Sequence, residues 1–115
     1  MEIEEIARIA YEINIALLKS YGDRSQPPWE IAPQWLKDNT INGVKFHLAN
    51  PDASPSYSHD LWVEELTADG WVYGPIQIDA IKVHPLLMPF DEIPQSHRTK
   101  DWVFRQVVRS LSVKC

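Results

Sequence analysis

The chain has 115 residues, 44% of them hydrophobic, and a formal charge of −5, which predicts one domain with a single core. The acidic balance, with no cluster of Lys and Arg, argues against nucleic-acid binding, because that binding depends on neutralising phosphates. No apolar run is long enough to cross a bilayer, and the acidic start at Glu2, Glu4 and Glu5 is opposite in charge to a secretory signal, so we expect a cytoplasmic protein without a membrane partner.

A first helix is predicted from about Glu2 to Ser20. It carries two apolar faces, which need two covering surfaces, so the helix lies either between other helices or in a dimer. Asn14 borders the main face and is costly to bury unpaired. We expect its side chain to hold a backbone group or, alternatively, a ligand. The main face consists of Ile3, Ile6, Ala10, Ile13 and Leu17, and the second of Tyr11, Ile15 and Leu18.

A proline-containing loop, residues 24–28, leads directly into Trp29. This tryptophan is either a lid over the core or part of a binding surface. A second helix is predicted over residues 32–49, because a proline suits its first turn and Asn50-Pro51 stops it. Gly43 in its middle indicates a close helix crossing. The face predicted to be buried consists of Leu36, Thr40, Val44, His47 and Leu48.

A third helix is predicted from His59 to Asp69, with Ser54 or Ser56 available as its cap. Gly70 ends it, because glycine takes the left-handed conformation at little steric cost. Residues 71–75 and 81–88 are predicted to be extended, with a reversing loop between them, which makes a short irregular β-hairpin beside the helix. One helix face consists of His59, Trp62 and Leu66, and the turn brings Trp62 close to Trp71.

The last helix is predicted from Pro94 to about Leu111. Trp102 lies opposite its apolar face, where it either marks a partner surface or packs under a loop. The chain as a whole predicts a mostly α fold, α+β at most, of about four helices and one small hairpin. The apolar face of the last helix consists of Val103, Phe104, Val107, Val108 and Leu111.

The residue pattern is not that of an enzyme. Cys115, the lone cysteine, has no partner for a disulfide or a zinc site, in keeping with a reducing compartment. No serine lies in a nucleophile elbow, and the four histidines are scattered, with no two at ligand spacing on one helix. The one arrangement left open is a carboxylate pair of Glu64 or Glu65 with Asp101. We therefore expect neither catalysis nor a metal or other cofactor.

Ordered motifs fill the second half of the chain from His59 to about Leu111. They are H-x-L-W, G-W-x-Y-G-P, K-x-H-P-L-L-x-P-F-x-E-I-P and K-D-x-x-F-R-x-V-V. This order resembles the RyR domain, the repeat of ryanodine receptors that also occurs as single-domain proteins in bacteria and phages. Leu87 departs from the pattern, since many relatives have cysteine there.

The first half of the chain carries motifs of its own, E-I-N at residues 12–14, G-D-x-S-Q-P-P-W-E at residues 22–30 and I-N-G-V-K-F-H-L at residues 41–48. These resemble the bacterial single-domain members in particular. The resemblance implies one RyR-like domain over residues 1–115, with an N-terminal helical half at 1–56 and the core motif at 57–115.

The central stretch has the composition of a recognition surface. Tryptophan and tyrosine faces can stack a flat ring, while histidines and backbone groups read its polar edge. For each of these residues a place in the core is the competing interpretation. The resemblance implies that Trp62, in the H-x-L-W motif, faces an adenine-type ligand. The expected ligand-binding residues are His59, Trp62, Trp71, Tyr73, Lys82 and His84.

Two functions are open at this point. The first is a non-enzymatic domain that binds a small nucleotide-like molecule, with Lys82, Arg98 and Lys100 as donors to its phosphates. The second is a protein-interaction module that docks on a partner or forms a homodimer, as the tandem pairing of the repeats in ryanodine receptors implies. The two are compatible if the ligand site lies at the dimer interface. Calcium release does not carry over, because the channel lies elsewhere in those receptors.

Overall fold

The computed structural model describes residues 1–112, which contain four helices and a small two-stranded sheet. This confirms the mostly α prediction. Cys115 lies outside the described residues, and so does the prediction that its thiol has no partner for a disulfide or a zinc site. The helices are α1 (Ile3–Ser20), α2 (Gln34–Ala49), α3 (Pro55–Ala68) and α4 (Gln95–Leu111); the strands are β1 (Val72–Tyr73) and β2 (Val83–His84); and short 3-10 turns lie at Trp29–Ile31, Asp79–Ile81 and Phe90–Glu92.

The core forms where α1 packs against both α2 and α4. The buried arc of α1 combines parts of the two predicted faces, so the prediction that Ile13 belongs to the main buried face is wrong: its side chain is 40% exposed. Asn14 lies three or four positions from the buried Ala10, Tyr11 and Leu18, which places it within the arc. The central core residues are Ile6, Ala7, Tyr11, Ile15, Trp29, Ala32, Val44 and Val108.

The loop after α1 is fastened back onto that helix. The hydroxyl of Tyr11 donates a hydrogen bond to the carbonyl of Pro27 at 2.6 Å, and the carboxylate of Glu12 accepts one from the amide of Trp29 at 2.8 Å. The rings of Tyr11 and Trp29 meet edge to face, with centroids 5.5 Å apart. Trp29 is buried, so of its two predicted roles the structure shows the lid over the core.

Helix α4 holds α2 and the turn that follows it. Gly43 faces Phe104, whose ring would lie 3.4 Å from a Cβ at position 43, so the predicted close crossing is confirmed. Arg105 donates from Nε to the carbonyl of Ala53 at 2.8 Å, and Arg109 donates to the carbonyl of Pro51. These bonds tie the backbone of the turn after α2 to α4.

Both ends of α3 follow the predicted chemistry. Ser54 is the N-cap, and its side chain accepts a hydrogen bond from the amide of Tyr57 at 3.3 Å. At the other end Gly70 takes a φ of +93°, and the amide of Trp71 donates to the carbonyl of Leu66 at 2.9 Å. The left-handed glycine therefore turns the chain into β1, as predicted.

The two strands pair in parallel, with Val72 opposite Val83 and Tyr73 opposite His84, so the predicted hairpin is wrong. The chain reverses twice. The segment after β1 runs back and forms an antiparallel bridge between Ile78 and Val83, and the 3-10 turn at Asp79–Ile81 then reverses it again. Lys82 completes the second reversal with a left-handed φ of 56°. Because two reversals restore the original direction of the chain, β2 runs parallel to β1. The hairpin predicted from the sequence has only one reversal.

None of the helices within residues 1–112 is both long enough and apolar enough to cross a membrane.

The strand pairing predicts the effect of replacing Gly74 with alanine. A methyl group at this position would overlap Cγ1 of Val83. We expect Gly74→Ala to lower the free energy of unfolding by about 1–3 kcal/mol, the usual cost of overpacking, as measured by urea denaturation. The double variant Gly74→Ala/Val83→Ala removes the overlapping methyl and should be less destabilised than the sum of the single variants. Simple additivity would contradict the steric explanation.

Candidate functional site

A cleft of about 750 Å³ opens between the N-terminal and C-terminal halves of the fold. Side chains of α1 and α2 form one side of it, and side chains of α3, α4 and the segment around the two strands form the rest. Its volume lies within the range of small-molecule sites, about 300–1,000 Å³. The cleft is therefore the candidate functional site.

Trp62 forms the aromatic part of the cleft together with two histidines. One turn of α3 separates it from His59, so both side chains lie on the same helix face, with ring centroids 5.4 Å apart. His84 meets Trp62 edge to face at 5.1 Å. Nε2 of the buried His59 lies 2.8 Å from the carbonyl of Met88, which fixes the ring. The arrangement gives a flat indole surface bordered by two imidazoles.

His84 is neutral at physiological pH. Burial lowers the pKa of its imidazole to about 4, and the positive charge of Lys100 acts in the same direction. Nδ1 accepts a hydrogen bond from the amide of Leu86 at 3.1 Å, so the ring proton of the neutral form lies on Nε2. A neutral imidazole can donate a hydrogen bond from one side without bringing a charge to the cleft.

Four of the six residues predicted to bind a ligand line the cleft, and two do not. Trp71 is buried behind it, with its ring 5.8 Å from Trp35 and 6.3 Å from His84. The ring of His84 therefore lies close to the rings of both Trp62 and Trp71. Nζ of Lys82 is held by Asp69, with contacts of 2.7 Å to the carbonyl and 3.3 Å to the carboxylate. The four that line the cleft are His59, Trp62, Tyr73 and His84.

Among the three cations predicted to hold phosphates, Lys100 alone lines the cleft. Its ammonium is 3.4 Å from the carboxylate of Asp101, which neutralises much of its charge. Arg98 donates to the carbonyl of Asp91 at 2.9 Å, outside the cleft lining. The cleft itself also contains the carboxylates of Asp23 and Glu65. Its electrostatics are thus poorly suited to a polyphosphate.

A polar wall of Asn14, His47 and His97 lines the cleft and was largely missed by sequence reasoning. These residues carry Asn14 Oδ1, His47 Nδ1 and His97 Nδ1, the buried side-chain atoms of residues 1–112 that have no hydrogen-bond partner. His47 is only 4% exposed. Burial lowers the pKa of both histidines, while the nearby Asp101 opposes the shift. The sequence signal that could have indicated this wall is the presence of polar residues at helix positions that the periodicity assigns to a buried face.

All four histidines of the chain line this cleft, although the sequence scatters them over 51 positions from His47 to His97. Within residues 1–112 they do not form, with Asp, Glu or Cys, any group of three that could hold a metal ion. Their rings are placed as hydrogen-bonding groups around the cleft.

Residues 49–114 match the family model of the RyR domain. The matched segment contains α3, both strands and α4, and with them His59, Trp62, Tyr73 and His84. Helix α1 and nearly all of α2 precede it. The cleft therefore combines an aromatic side from the matched segment with a side from helices outside the match.

The low pKa of His84 predicts that the protein loses stability as the solution becomes mildly acidic. The imidazole has a pKa of about 4 when folded and 6.5 ordinarily, so between these values the unfolded chain binds more protons. The contribution of this neutral imidazole to the free energy of unfolding is fully present above pH 6.5 and is lost as the pH falls towards 4. We expect the free energy of unfolding to fall by about 2 kcal/mol between pH 8 and pH 5 from this residue alone, with His47 and His97 acting in the same direction.

Urea denaturation at the two pH values measures this change. The variant His84→Asn keeps an acceptor near the amide of Leu86 but has no group that titrates at this position. Its free energy of unfolding should therefore fall less between pH 8 and pH 5 than that of the unaltered protein, and the difference is the contribution of His84. Equal free energies of unfolding at pH 8 and pH 5 in the unaltered protein would contradict a buried neutral imidazole.

Proposed function

The chain belongs to the RyR domain family, and from this premise we propose that it is a non-enzymatic ligand-recognition domain that binds a small nucleotide-like molecule in the cleft. The observation that carries the proposal is the placement of Trp62. Its indole lies between His59 and His84 in a cleft of about 750 Å³. A flat heterocycle stacked on this indole would meet imidazole groups at its edges, the usual combination of apolar face and polar rim in a ligand site.

The roles proposed for the cleft residues are those of binding, not of catalysis. Ser25 in the cleft donates its hydroxyl to the carboxylate of Asp23 at 2.6 Å, so it is paired with an acid and not with a histidine base. The proposed carboxylate pair is also unsupported, since Asp101 is engaged with Lys100. We place this binding function in the cytoplasm.

We further propose that the chain is of the bacterial or phage single-domain type. The N-terminal motifs that suggest it, residues 12–14, 22–30 and 41–48, contribute side chains to the cleft, among them Asn14, Asp23 and His47. These motifs therefore form part of the proposed ligand site.

Removing the indole of Trp62 tests ligand binding directly. In a panel of ATP, ADP, AMP, NAD and cyclic nucleotides, we expect at least one compound to raise the melting temperature of the protein with increasing concentration, because a ligand that binds the folded state stabilises it. The compounds with a single phosphate should do so more strongly than the polyphosphates. Trp62→Ala should reduce the affinity about 5- to 150-fold, since stacking on an aromatic ring contributes about 1–3 kcal/mol per base. Thermal shift and tryptophan fluorescence provide the measurement.

Trp102→Ala is the matched control. Its indole is 52% exposed, lies outside the cleft lining and stacks on Arg105. This variant should keep the full ligand response. A flat response of the unaltered protein across the panel would contradict nucleotide binding and favour the interaction function.

A second function, a protein-interaction module that forms a homodimer, is favoured by a separate observation. Large apolar side chains are exposed along one short segment, from β1 through the second chain reversal. Clusters of this kind are typical of protein interfaces. The exposed residues are Val72, Tyr73, Ile76, Ile78 and Ile81.

Light scattering coupled to size exclusion tests self-association. We expect the unaltered chain to show a mass near twice 13.3 kDa at high concentration, and Ile76→Lys to shift it to the monomer because a charge cannot be buried at the interface unpaired. Ile31→Lys is the control, since Ile31 is 73% exposed and Ile76 69%. A monomer at every concentration would exclude the homodimer.

A further inference from the structure

The polar wall of Asn14, His47 and His97 brings together side chains from three helices, α1, α2 and α4. Each contributes one buried atom without a hydrogen-bond partner among the described residues. Buried polar atoms are paired in the great majority of cases, because leaving them unpaired opposes folding. Three of them at one cleft indicate that the wall is built for binding and not for packing.

Small side-chain rotations make these atoms available to the cleft. Turning the half-buried amide of Asn14 about χ2 exchanges the places of its oxygen and its NH2 group. A neutral imidazole exchanges donor and acceptor differently, by moving its proton between Nδ1 and Nε2. The wall can therefore present acceptors and donors in more than one combination without moving a helix.

The charges around the wall define the chemistry it accepts. Burial lowers the pKa of His47 and His97, so each ring is neutral at pH 7, with one N–H donor and one acceptor nitrogen. Charges of both signs stand beside them: Oδ2 of Asp23 is 3.7 Å from Nε2 of His97 and Asp101 raises the pKa of both rings, while Arg105 lowers the pKa of His47 and Lys100 that of His97. Both cations are already engaged, Lys100 with Asp101 and Arg105 with backbone carbonyls of the turn after α2. An uncharged group that donates as well as accepts hydrogen bonds therefore suits the wall better than an anion.

We propose that the polar wall binds an uncharged hydroxyl-bearing group, such as the ribose of a nucleoside, joined to the ring that stacks on Trp62. A hydroxyl satisfies an amide or a neutral imidazole in either orientation, because it both donates and accepts. A phosphate only accepts and would be repelled by Asp23 and Asp101, so any phosphate of the ligand lies away from the wall. The inference rests on the proposed function and adds the part of the ligand that the N-terminal helices recognise.

Calorimetric titration with adenosine, 2′,3′-dideoxyadenosine and AMP tests the ligand side of this proposal. We expect adenosine to bind about tenfold more tightly than the dideoxy compound, whose loss of hydroxyls leaves the wall unpaired. AMP should bind no more tightly than adenosine. Equal binding of adenosine and its dideoxy analogue, or a tenfold gain from the phosphate of AMP, would overturn the proposal.

The variant Asn14→Leu tests the protein side, with a side chain of similar shape but no polar atoms. Removing an unpaired buried group should raise the melting temperature of the free protein by about 4 °C and lower the affinity for adenosine about tenfold. Thr40→Val is the matched control in the same cleft, because the Thr40 hydroxyl is already paired with the carbonyl of Leu36 at 2.9 Å. This control should not raise the melting temperature.

The outcomes separate this inference from the proposed function. A lower melting temperature of Asn14→Leu would mean that Asn14 stabilises the fold. It would contradict the inference that the polar wall binds a ligand group, whether or not adenosine binds. Undiminished adenosine binding by a stabilised Asn14→Leu would overturn it too, while leaving ligand binding intact. If no compound binds the unaltered protein, the proposed function fails, and the melting temperatures of the two variants alone then decide whether the wall is unpaired as inferred.

Discussion

The double reversal of the chain between β1 and β2 is the constraint on which the site depends. It returns β2 beside β1 in parallel, with Gly74 leaving the space that the side chain of Val83 needs. Because His84 follows Val83 directly, this pairing fixes the imidazole close to Trp62 and Trp71. The ring is thereby desolvated and kept neutral. One backbone arrangement thus sets both the shape of the aromatic side and its charge.

The matched RyR segment, residues 49–114, does not enclose the cleft by itself. Helices α1 and α2 add the facing side, and they are held in place by packing between α1 and α4 and by the hydrogen bonds of Arg105 to the turn after α2. A family segment that keeps its aromatic residues can therefore differ in what it recognises if the helices before it differ. In the proposed function, the N-terminal half therefore contributes to ligand specificity as much as the family motif does.

The sequence predicted the parts of the fold that depend on local chemistry. The serine cap at the start of α3 and the left-handed Gly70 at its end are local signals, and the structure has both, although α3 begins at Pro55, before the predicted start at His59. The parallel sheet was missed because the second reversal depends on Lys82 in a left-handed conformation that lysine rarely adopts. The polar wall was missed because periodicity assigns a residue to a face but does not show which faces of distant helices meet.

Neutral imidazoles explain how a cleft with so many titratable groups avoids a strong field. His47, His84 and His97 each lose their charge to burial, and Lys100 is offset by Asp101, so the charges that remain at the cleft are chiefly carboxylates. A ligand proposed for such a site would be selected by hydrogen-bond pairing, because a buried polar group left unpaired by a wrong ligand costs more than a weak apolar contact. The same burial that lowers the stability of the fold in acid therefore supports the proposal that the cleft binds uncharged polar groups.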